Sequence, residues 1–336
     1  MSSARISSLD ALRGIAALAV VLYHYTFRYN ALYGHNFSLE PLSVLKYGHL
    51  GVQLFFIISG FVIYLSIENT QSIKKFASNR FARLYPAYWC AVFVTFFTVM
   101  IFGLPGRDVS FSNMLVNLSM LQGFLNVTNV DGVYWTLKIE LSFYLIIATL
   151  YFFIPKKYFL INFLILVSAG FFVKYLYLSG DVSFIVKIIN LVFSLEYLHF
   201  FGAGIGFYLF SKRIKFLQAT LLIAMSISYN LVFGTGIELL VTLTFYPVFL
   251  LLILGKIEFI NNPALTYLGS ISYSLYLVHQ NIGYIIFNYL YKYDFHPLFS
   301  FFAVFTTVIL IAHFISKYIE QILGKKLKNK LSDYVK

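Results

Sequence analysis

An arginine and a histidine, Arg13 and His24, lie eleven positions apart in the first apolar stretch of the chain. At about 100° per residue of an α-helix, eleven steps return to nearly the same face. A rise of about 1.5 Å per residue separates the two groups by roughly 16 Å. A cation and a titratable imidazole are costly inside a membrane, so their presence on such a helix marks a functional site. We therefore expect the chemistry of this protein on that helix face.

The composition places the chain in the membrane class. Of its 336 residues, 60% are hydrophobic, 20% are aromatic and only 11% are charged, which is far too apolar for a water-soluble domain. The formal net charge of +12 is interpreted as a charge difference between the two faces of a bilayer rather than as a surface for nucleic acid. We therefore predict an all-α, polytopic membrane protein that contacts membrane lipids and has no nucleic-acid partner.

Ten apolar segments are long enough to cross a bilayer as helices. Segment 104–133 is mixed in composition, and its apolar centre is too short for a span, so re-entrant and interfacial placements both stay open. If this segment did span, every later helix would be inverted. The predicted spans are residues 9–29, 49–68, 84–103, 134–154, 158–178, 187–210, 216–233, 237–254, 267–291 and 297–319.

The distribution of lysine and arginine sets the predicted orientation. With ten helices and a cytoplasmic N-terminus, seventeen basic residues fall on the cytoplasmic side and four on the other, as the positive-inside rule requires. Both termini are then cytoplasmic, and the basic tail 324–336 is interpreted as an electrostatic anchor to anionic lipid. We expect a single transmembrane domain over residues 1–336, without an extracytoplasmic hydrolase domain.

Two titratable residues on different predicted helices reach a similar depth in this topology. His24 lies roughly 7 Å and Glu140 roughly 9 Å below the outer surface. A carboxylate beside an imidazole raises its basicity and fixes its tautomer, as a general base for a hydroxyl group requires. Tyr144, one turn from Glu140, is placed to donate a hydrogen bond to that carboxylate. The alternative is structural, with polar side chains that only tie helices together.

Two arginines, Arg80 and Arg83, stand three positions apart just before the third predicted span. If the helix begins that early, they share a face and could bind a phosphate in bidentate fashion. Arg13 lies where an anionic cytosolic ligand would point into the membrane. The alternative is an ordinary positively charged flank. No cluster of His, Asp or Glu has metal-ligand spacing, so no metal is expected.

Five sequence motifs occur in order along nearly the whole chain. They are Arg-x10-His in the first helix, Gly-Val-x-Leu-Phe-Phe-x-x-Ser-Gly-Phe at 51–61, Arg-x-x-Arg-x-x-Pro at 80–86, Trp-Thr-Leu-x-x-Glu-x-x-Phe-Tyr at 135–144 and Ser-Tyr-Ser-Leu-Tyr-Leu-x-His at 272–279. Together they resemble the acyltransferase-3 family of bacterial integral membrane acyltransferases. Two positions depart from the family pattern. Asn79 stands where a second adjacent arginine is common, and Gln53 where an acidic residue is common.

The resemblance implies transfer of an acyl group, usually acetyl, from cytosolic acyl-CoA to a hydroxyl group of a cell-surface or lipid-linked glycan, in the inner membrane of a bacterium. It implies that His24 is the general base, assisted by Glu140 and Arg13. It also implies that Arg80 and Arg83, together with Arg13, hold the CoA donor. The candidates for contacting the acceptor are Trp135, Tyr144, Gln53 and His279.

A transporter or flippase of a glycolipid or small molecule is the competing interpretation, with the intramembrane charged residues as a relay. Against it, the sequence shows neither inverted-repeat symmetry nor paired broken helices. The acceptor sugar and its hydroxyl group, the acyl chain, the need for a separate extracytoplasmic partner protein and the oligomeric state all stay open. A homo-oligomer is one option.

Overall fold

Long apolar helices account for most of the chain. The computed structural model describes residues 3–34 and 40–334, and in these ranges it contains helices and turns but no β-strand. The prediction of an all-α protein is therefore confirmed. The α-helices are α1 (Ser3–Tyr23), α2 (Tyr29–Tyr33), α3 (Gly51–Glu68), α4 (Ile73–Phe102), α5 (Phe111–Asn117), α6 (Trp135–Phe153), α7 (Phe159–Ser179), α8 (Phe184–Phe193), α9 (Leu198–Ser211), α10 (Phe216–Phe233), α11 (Gly236–Ile253), α12 (Pro263–Lys292), α13 (Pro297–Phe314) and α14 (Gly324–Tyr334).

The number of helices suited to a bilayer supports a multi-pass membrane protein. In the described part of the chain, seven helices are long and apolar enough to cross a membrane, and an eighth span is formed if α8 and α9 are counted as one bent helix. The two other predicted spans coincide with α12, which carries His279, and with α1 and the helical turns that follow it, which carry Arg13 and His24. The total of ten spans and the cytoplasmic termini stay predictions.

The predicted span 187–210 is broken in the structure. Ser194 adopts the left-handed conformation with φ 47°, and α8 and α9 meet there at a bend of 53°. A break leaves backbone carbonyl groups without their helical donors, which is costly in an apolar environment. The Ser142 hydroxyl group of α6 donates a hydrogen bond of 2.7 Å to the carbonyl of Val192 and so satisfies one of these groups.

Segment 104–133 contains no helix long enough to cross a membrane. Its one α-helix, α5, has seven residues and is therefore only about 10 Å long. The rest of the segment folds back through turns around the buried amide of Asn117, which donates to the carbonyl of Thr128 at 2.9 Å and accepts from the N–H of Val130 at 3.0 Å. Buried polar backbone is tolerated here because it is satisfied within the protein.

The helices form two compact units. The first unit comprises residues 3–9, 52–76 and 139–262. In it α3 and α9 cross at a pair of glycines, Gly60 and Gly204, where the backbones are in contact: a Cβ atom on Gly60 would overlap the carbonyl of Phe201. Small residues allow this close approach between membrane helices. The Phe143 and Phe201 rings stack beside the crossing with centroids 4.2 Å apart.

The second unit comprises residues 10–34, 40–51, 77–138 and 263–334. Its central contact is between α1 and α12, whose backbones touch at Gly14 and Gly269. A Cβ atom on Gly14 would overlap the carbonyl of Leu265, and one on Gly269 would overlap the carbonyl of Asp10. This crossing brings the helix that carries His24 against the helix that carries His279.

Filling the glycine crossing in the first unit should destabilise the protein. In Gly204→Ala the new methyl group would lie 2.7 Å from the backbone nitrogen of Phe61, and overpacking of this kind costs about 1–3 kcal/mol. Thermal unfolding in detergent measures the loss. Gly202→Ala is the matched control, because its nearest neighbour is the Phe163 ring at 3.3 Å, which is a side chain and can shift. Equal unfolding temperatures for the two variants would contradict the backbone crossing.

Candidate active site

The helix that carries His24 changes its winding at that residue. Helix α1 ends at Tyr23, and residues His24–Arg28 form a π-helix before α2 begins. The N–H of Tyr29 bonds the carbonyl of His24, five residues back, instead of the i−4 carbonyl of an α-helix. Short π-helical turns of this kind are rare and occur frequently at functional sites. The predicted same-face relation of Arg13 and His24 is kept, since the helix is α-helical throughout the interval between them.

The imidazole of His24 lies against that of His279. The rings are T-shaped with centroids 4.8 Å apart, and Nδ1 of His24 is 3.2 Å from Nε2 of His279. His24 is half-buried, whereas His279 is fully buried. The sequence singled out His279 only as a possible contact for the acceptor. The structure places it instead as the side chain next to the proposed base.

Backbone carbonyl groups fix the tautomers of both histidines. Nδ1 of His279 is 2.8 Å from the carbonyl of Tyr276, and Nδ1 of His24 is 2.8 Å from the carbonyl of Val20. A carbonyl oxygen only accepts, so each Nδ1 must carry the proton. Nε2 of His279 is then an acceptor that shares the Nδ1 proton of His24. The lone pair of the His24 ring is left on Nε2, which is the atom that can take a proton from a substrate.

A buried carboxylate fixes the helix that carries His279. Asp131 accepts a hydrogen bond of 3.0 Å from the N–H of Asn281 and one of 3.2 Å from the N–H of Val133. The amide of Asn281 returns a bond of 3.0 Å to the carbonyl of Val130. On the opposite side, the Tyr25 hydroxyl group donates to the carbonyl of His279 at 2.8 Å. The imidazole pair is thus held from both α12 and the His24–Arg28 turn.

A cation and an amide lie beside this clamp. A Cβ atom on Gly132 would lie 2.8 Å from Nη1 of Arg107 and 2.7 Å from Oε1 of Gln280. Gly132 is therefore required because the two polar groups fill the space where a side chain would be. Arg107 and Gln280 were not singled out from the sequence, and they provide a donor and an acceptor next to Asp131 and its partners.

The predicted donor-binding arginines all lie in the second unit, Arg13 on α1 and Arg80 and Arg83 on α4. Arg13 is paired with Asp10 at 3.0 Å, and both side chains are about a quarter to a third exposed. Arg80 and Arg83 both lie on α4, so they share a helix face as predicted. Arg83 forms an ion pair with Glu320, which also accepts a hydrogen bond of 2.9 Å from Ser274. The sequence did not indicate Glu320, because its chain position is remote from every motif.

The remaining predicted residues are distributed over both units. In the first unit Glu140 accepts a hydrogen bond from the Tyr144 hydroxyl group, as predicted, and Thr242 donates to Gln53 at 2.7 Å. Trp135 belongs to the second unit and is 42% exposed. The pairing of Glu140 with His24 stays a prediction. In the described part of the chain, no group of three His, Cys, Asp or Glu residues could hold a metal ion.

The comparisons with known proteins give one family. A family model described as "Acyltransferase domain" matches residues 6–316. The exopolysaccharide production protein ExoZ of Rhizobium meliloti is 28% identical over 265 residues, which cover 73% of this chain and 77% of that protein. An O-acetyl transferase of Shigella phage Sf6 is 24% identical over 340 residues, which cover 96% of this chain and 97% of that protein.

A third relative matches over a shorter part. The peptidoglycan O-acetyltransferase OatA of Listeria monocytogenes is 30% identical over 161 residues, which cover 42% of this chain and 23% of that protein. No solved structure matches the chain.

The buried carboxylate of Asp131 should make stability depend on pH. Burial raises its pKa to about 6 from the ordinary 3.8, so between about pH 4 and 6 the folded protein binds more protons than the unfolded one. The contribution of Asp131 to the free energy of unfolding, taken as the wild-type value minus the value for Asp131→Asn, should fall by about 2–3 kcal/mol as the pH rises through this window, and then level off. Thermal unfolding of both proteins in detergent from pH 4 to 7 measures this difference.

Asp108→Asn is the control, since Asp108 lies exposed in the same segment and should leave the pH dependence unchanged. If the stabilities of Asp131→Asn and wild type change by the same amount between pH 4 and 6, Asp131 does not titrate in this window as its burial requires.

Proposed function

Because the chain belongs to the acyltransferase-3 family, we propose that it transfers an acetyl group from cytosolic acetyl-CoA to a hydroxyl group of a cell-surface or lipid-linked glycan. Membership alone makes it a membrane-bound O-acyltransferase that uses an acyl donor. The names of ExoZ and OatA support a polysaccharide acceptor. The family and the apolar helices support a place in the inner membrane of a bacterium.

The observation that carries the proposal is the forced tautomer of His24. With its Nδ1 proton engaged by Val20 and His279, Nε2 is the basic nitrogen. The acceptor hydroxyl group gives its proton to Nε2 while its oxygen attacks the thioester carbonyl carbon. The C–S bond then breaks, and the departing thiolate takes the proton back from the imidazolium. The products are the acetyl ester and free CoA, and no other reactant is required.

His279 acts as a positioning residue in this scheme. When Nε2 of His24 takes the proton, the ring becomes a cation and its Nδ1–H becomes a stronger donor. Nε2 of His279 is then the acceptor of a charge-assisted hydrogen bond. The neutral imidazole thus has the orienting role that a carboxylate has in a catalytic triad. Its own orientation depends on the carbonyl of Tyr276 and on the Asp131 clamp.

The CoA phosphates are assigned to Arg80 and Arg83, with Arg13 along the path of the pantetheine arm. The ion pair of Arg83 with Glu320 keeps this guanidinium oriented before the donor arrives. Glu140 and Tyr144, together with Gln53 and Trp135, remain the residues proposed to hold or orient the acceptor. Hydrogen-bonding side chains of this kind can recognise sugar hydroxyl groups.

Replacing the proposed base should abolish transfer without unfolding the protein. Purified His24→Gln enzyme is assayed with radiolabelled acetyl-CoA and cell-envelope glycan, and transfer should fall by about 10²–10⁴-fold. His279→Ala should lower kcat with little change in KM, and His279→Gln should recover part of it, because its amide oxygen can accept from Nδ1 of His24. His313→Gln is the control, since His313 bonds Tyr267 in the same unit.

Wild-type turnover of acetyl-CoA would exclude a pure transporter. Full activity of His24→Gln would defeat the assignment of the base.

Neutralising the arginines should weaken donor binding. The loss of a charge-assisted hydrogen bond costs about 1.5–3 kcal/mol, so Arg80→Gln should raise the KM for acetyl-CoA roughly tenfold or more. Arg83→Gln is combined with Glu320→Gln, because the lone change would leave a buried carboxylate without its arginine. Lys74→Gln, one of the exposed cations at the start of α4, is the control. An unchanged KM in both arginine variants would place the phosphates elsewhere.

A further inference from the structure

A polar cavity in the first unit takes no part in the chemistry above. Its volume is about 490 Å³, within the range of small-molecule sites. It lies where helices end, between the C-terminal end of α3, the connection from α6 to α7 and the connection from α9 to α10. Its lining residues are Tyr64, Glu68, Asn69, Tyr151, Lys156, Phe159, Tyr208, Lys212, Ile214 and Lys215. In the predicted topology these helix ends face the cytosol.

The charges of the lining make the cavity a site for an anion. Lys156, Lys212 and Lys215 contribute three ammonium groups, and Glu68 is the single carboxylate in the lining. Two net positive charges result at neutral pH. Glu68 accepts a hydrogen bond of 2.6 Å from the Tyr208 hydroxyl group, which holds the carboxylate at the wall. An anion with two negative charges would neutralise the site.

The backbone presents the lysines in an unusual conformation. Arg213 and Lys215 both have positive φ, 58° and 50°, a conformation that is unfavourable for residues other than glycine. The turn is closed by a hydrogen bond of 3.1 Å from the N–H of Ile214 to the carbonyl of Leu209. Strained turns of this kind are concentrated at ligand-binding sites. This turn brings Lys212 and Lys215 to the same cavity.

The aromatic wall is suited to the less polar part of a ligand. The Lys156 Nζ atom lies 5.4 Å from the centroid of the Tyr151 ring, and the Lys212 Nζ atom lies 5.8 Å from that of Tyr208. The ammonium groups thus sit over rings, next to an apolar surface. Basic pockets between membrane helices on the cytoplasmic side bind phosphate headgroups.

We propose that this cavity binds a dianionic phosphate group, a phosphate monoester or a pyrophosphate, through Lys156, Lys212 and Lys215. The group can come from an anionic lipid of the surrounding leaflet or from a soluble phosphate ester. None of the arginines assigned to the CoA phosphates lines this cavity, and the inference does not depend on the proposed acetyl transfer.

The test measures phosphate binding to the full-length protein. In detergent, inorganic pyrophosphate is titrated by calorimetry. In nanodiscs that mix phosphatidic acid, a lipid with a phosphate monoester headgroup, with phosphatidylcholine, native mass spectrometry counts retained phosphatidic acid. The test variant replaces all three lysines, as Lys156→Gln, Lys212→Gln and Lys215→Gln. If the ligand is a soluble ester, this variant should bind pyrophosphate at least tenfold more weakly than the wild type. If the ligand is a lipid, the variant should lose the retained lipid. Binding in the first arm indicates a soluble ester, and binding only in the second indicates a lipid.

Two further variants keep the test independent of folding. The matched control removes three charges from the same unit and the same predicted face, but outside the cavity, and it should bind as the wild type does. It carries Lys157→Gln, Arg213→Gln and Lys256→Gln. Glu68→Gln removes the single carboxylate and should tighten binding severalfold. If both triple variants behave alike in both arms, or if Glu68→Gln does not tighten binding, the proposal is overturned.

Discussion

The site depends on one constraint, that a polar group inside the membrane must find its hydrogen-bond partner within the protein. The Nδ1 proton of His24 has the carbonyl of Val20 and Nε2 of His279 as its acceptors. The Nδ1 proton of His279 goes to the carbonyl of Tyr276. Since neither carbonyl can act as a donor, the protons have one possible arrangement. Burial therefore selects the tautomer, and the tautomer leaves the reactive lone pair on a half-exposed ring.

The same constraint explains how segment 104–133, which is mostly turns, contributes to the site. Asp131 is buried, and among the described residues no cation is in direct ion-pair contact with it, although the charge of Arg107 is close enough to act on it. Its carboxylate accepts hydrogen bonds from the backbone N–H groups of Asn281 and Val133. Asn281 is two residues beyond His279 on α12, so the carboxylate limits the rotation and sliding of that helix. A loop can in this way determine the geometry of a pair of membrane helices.

Much of the fold was predictable from the sequence, because apolar length and charge bias are properties of segments. Every predicted span except the broken 187–210 coincides with continuous helical structure, and Arg80 and Arg83 share a helix as expected. The break at Ser194 was missed, since a serine with φ 47° does not interrupt the apolar pattern. The contact between His24 and His279 was not expected, because the sequence does not say which helices are neighbours. The pairing of His24 with Glu140, inferred from their matched depth, stays a prediction.

The two π-helical segments show the limit of periodicity most clearly. One begins at His24, and the other, Ile315–Leu323, carries the buried Glu320 that pairs with Arg83. A π-turn adds a residue to the turn and shifts every later side chain around the axis, so a 3.6-residue pattern misplaces these groups. Such turns are energetically unfavourable and persist where function requires them. Here the first π-helical segment begins at His24, the proposed base, and the second contains Glu320, the ion-pair partner of Arg83. The π-helical segments therefore help to locate the site. They are seen in the structure and were not predicted from the sequence.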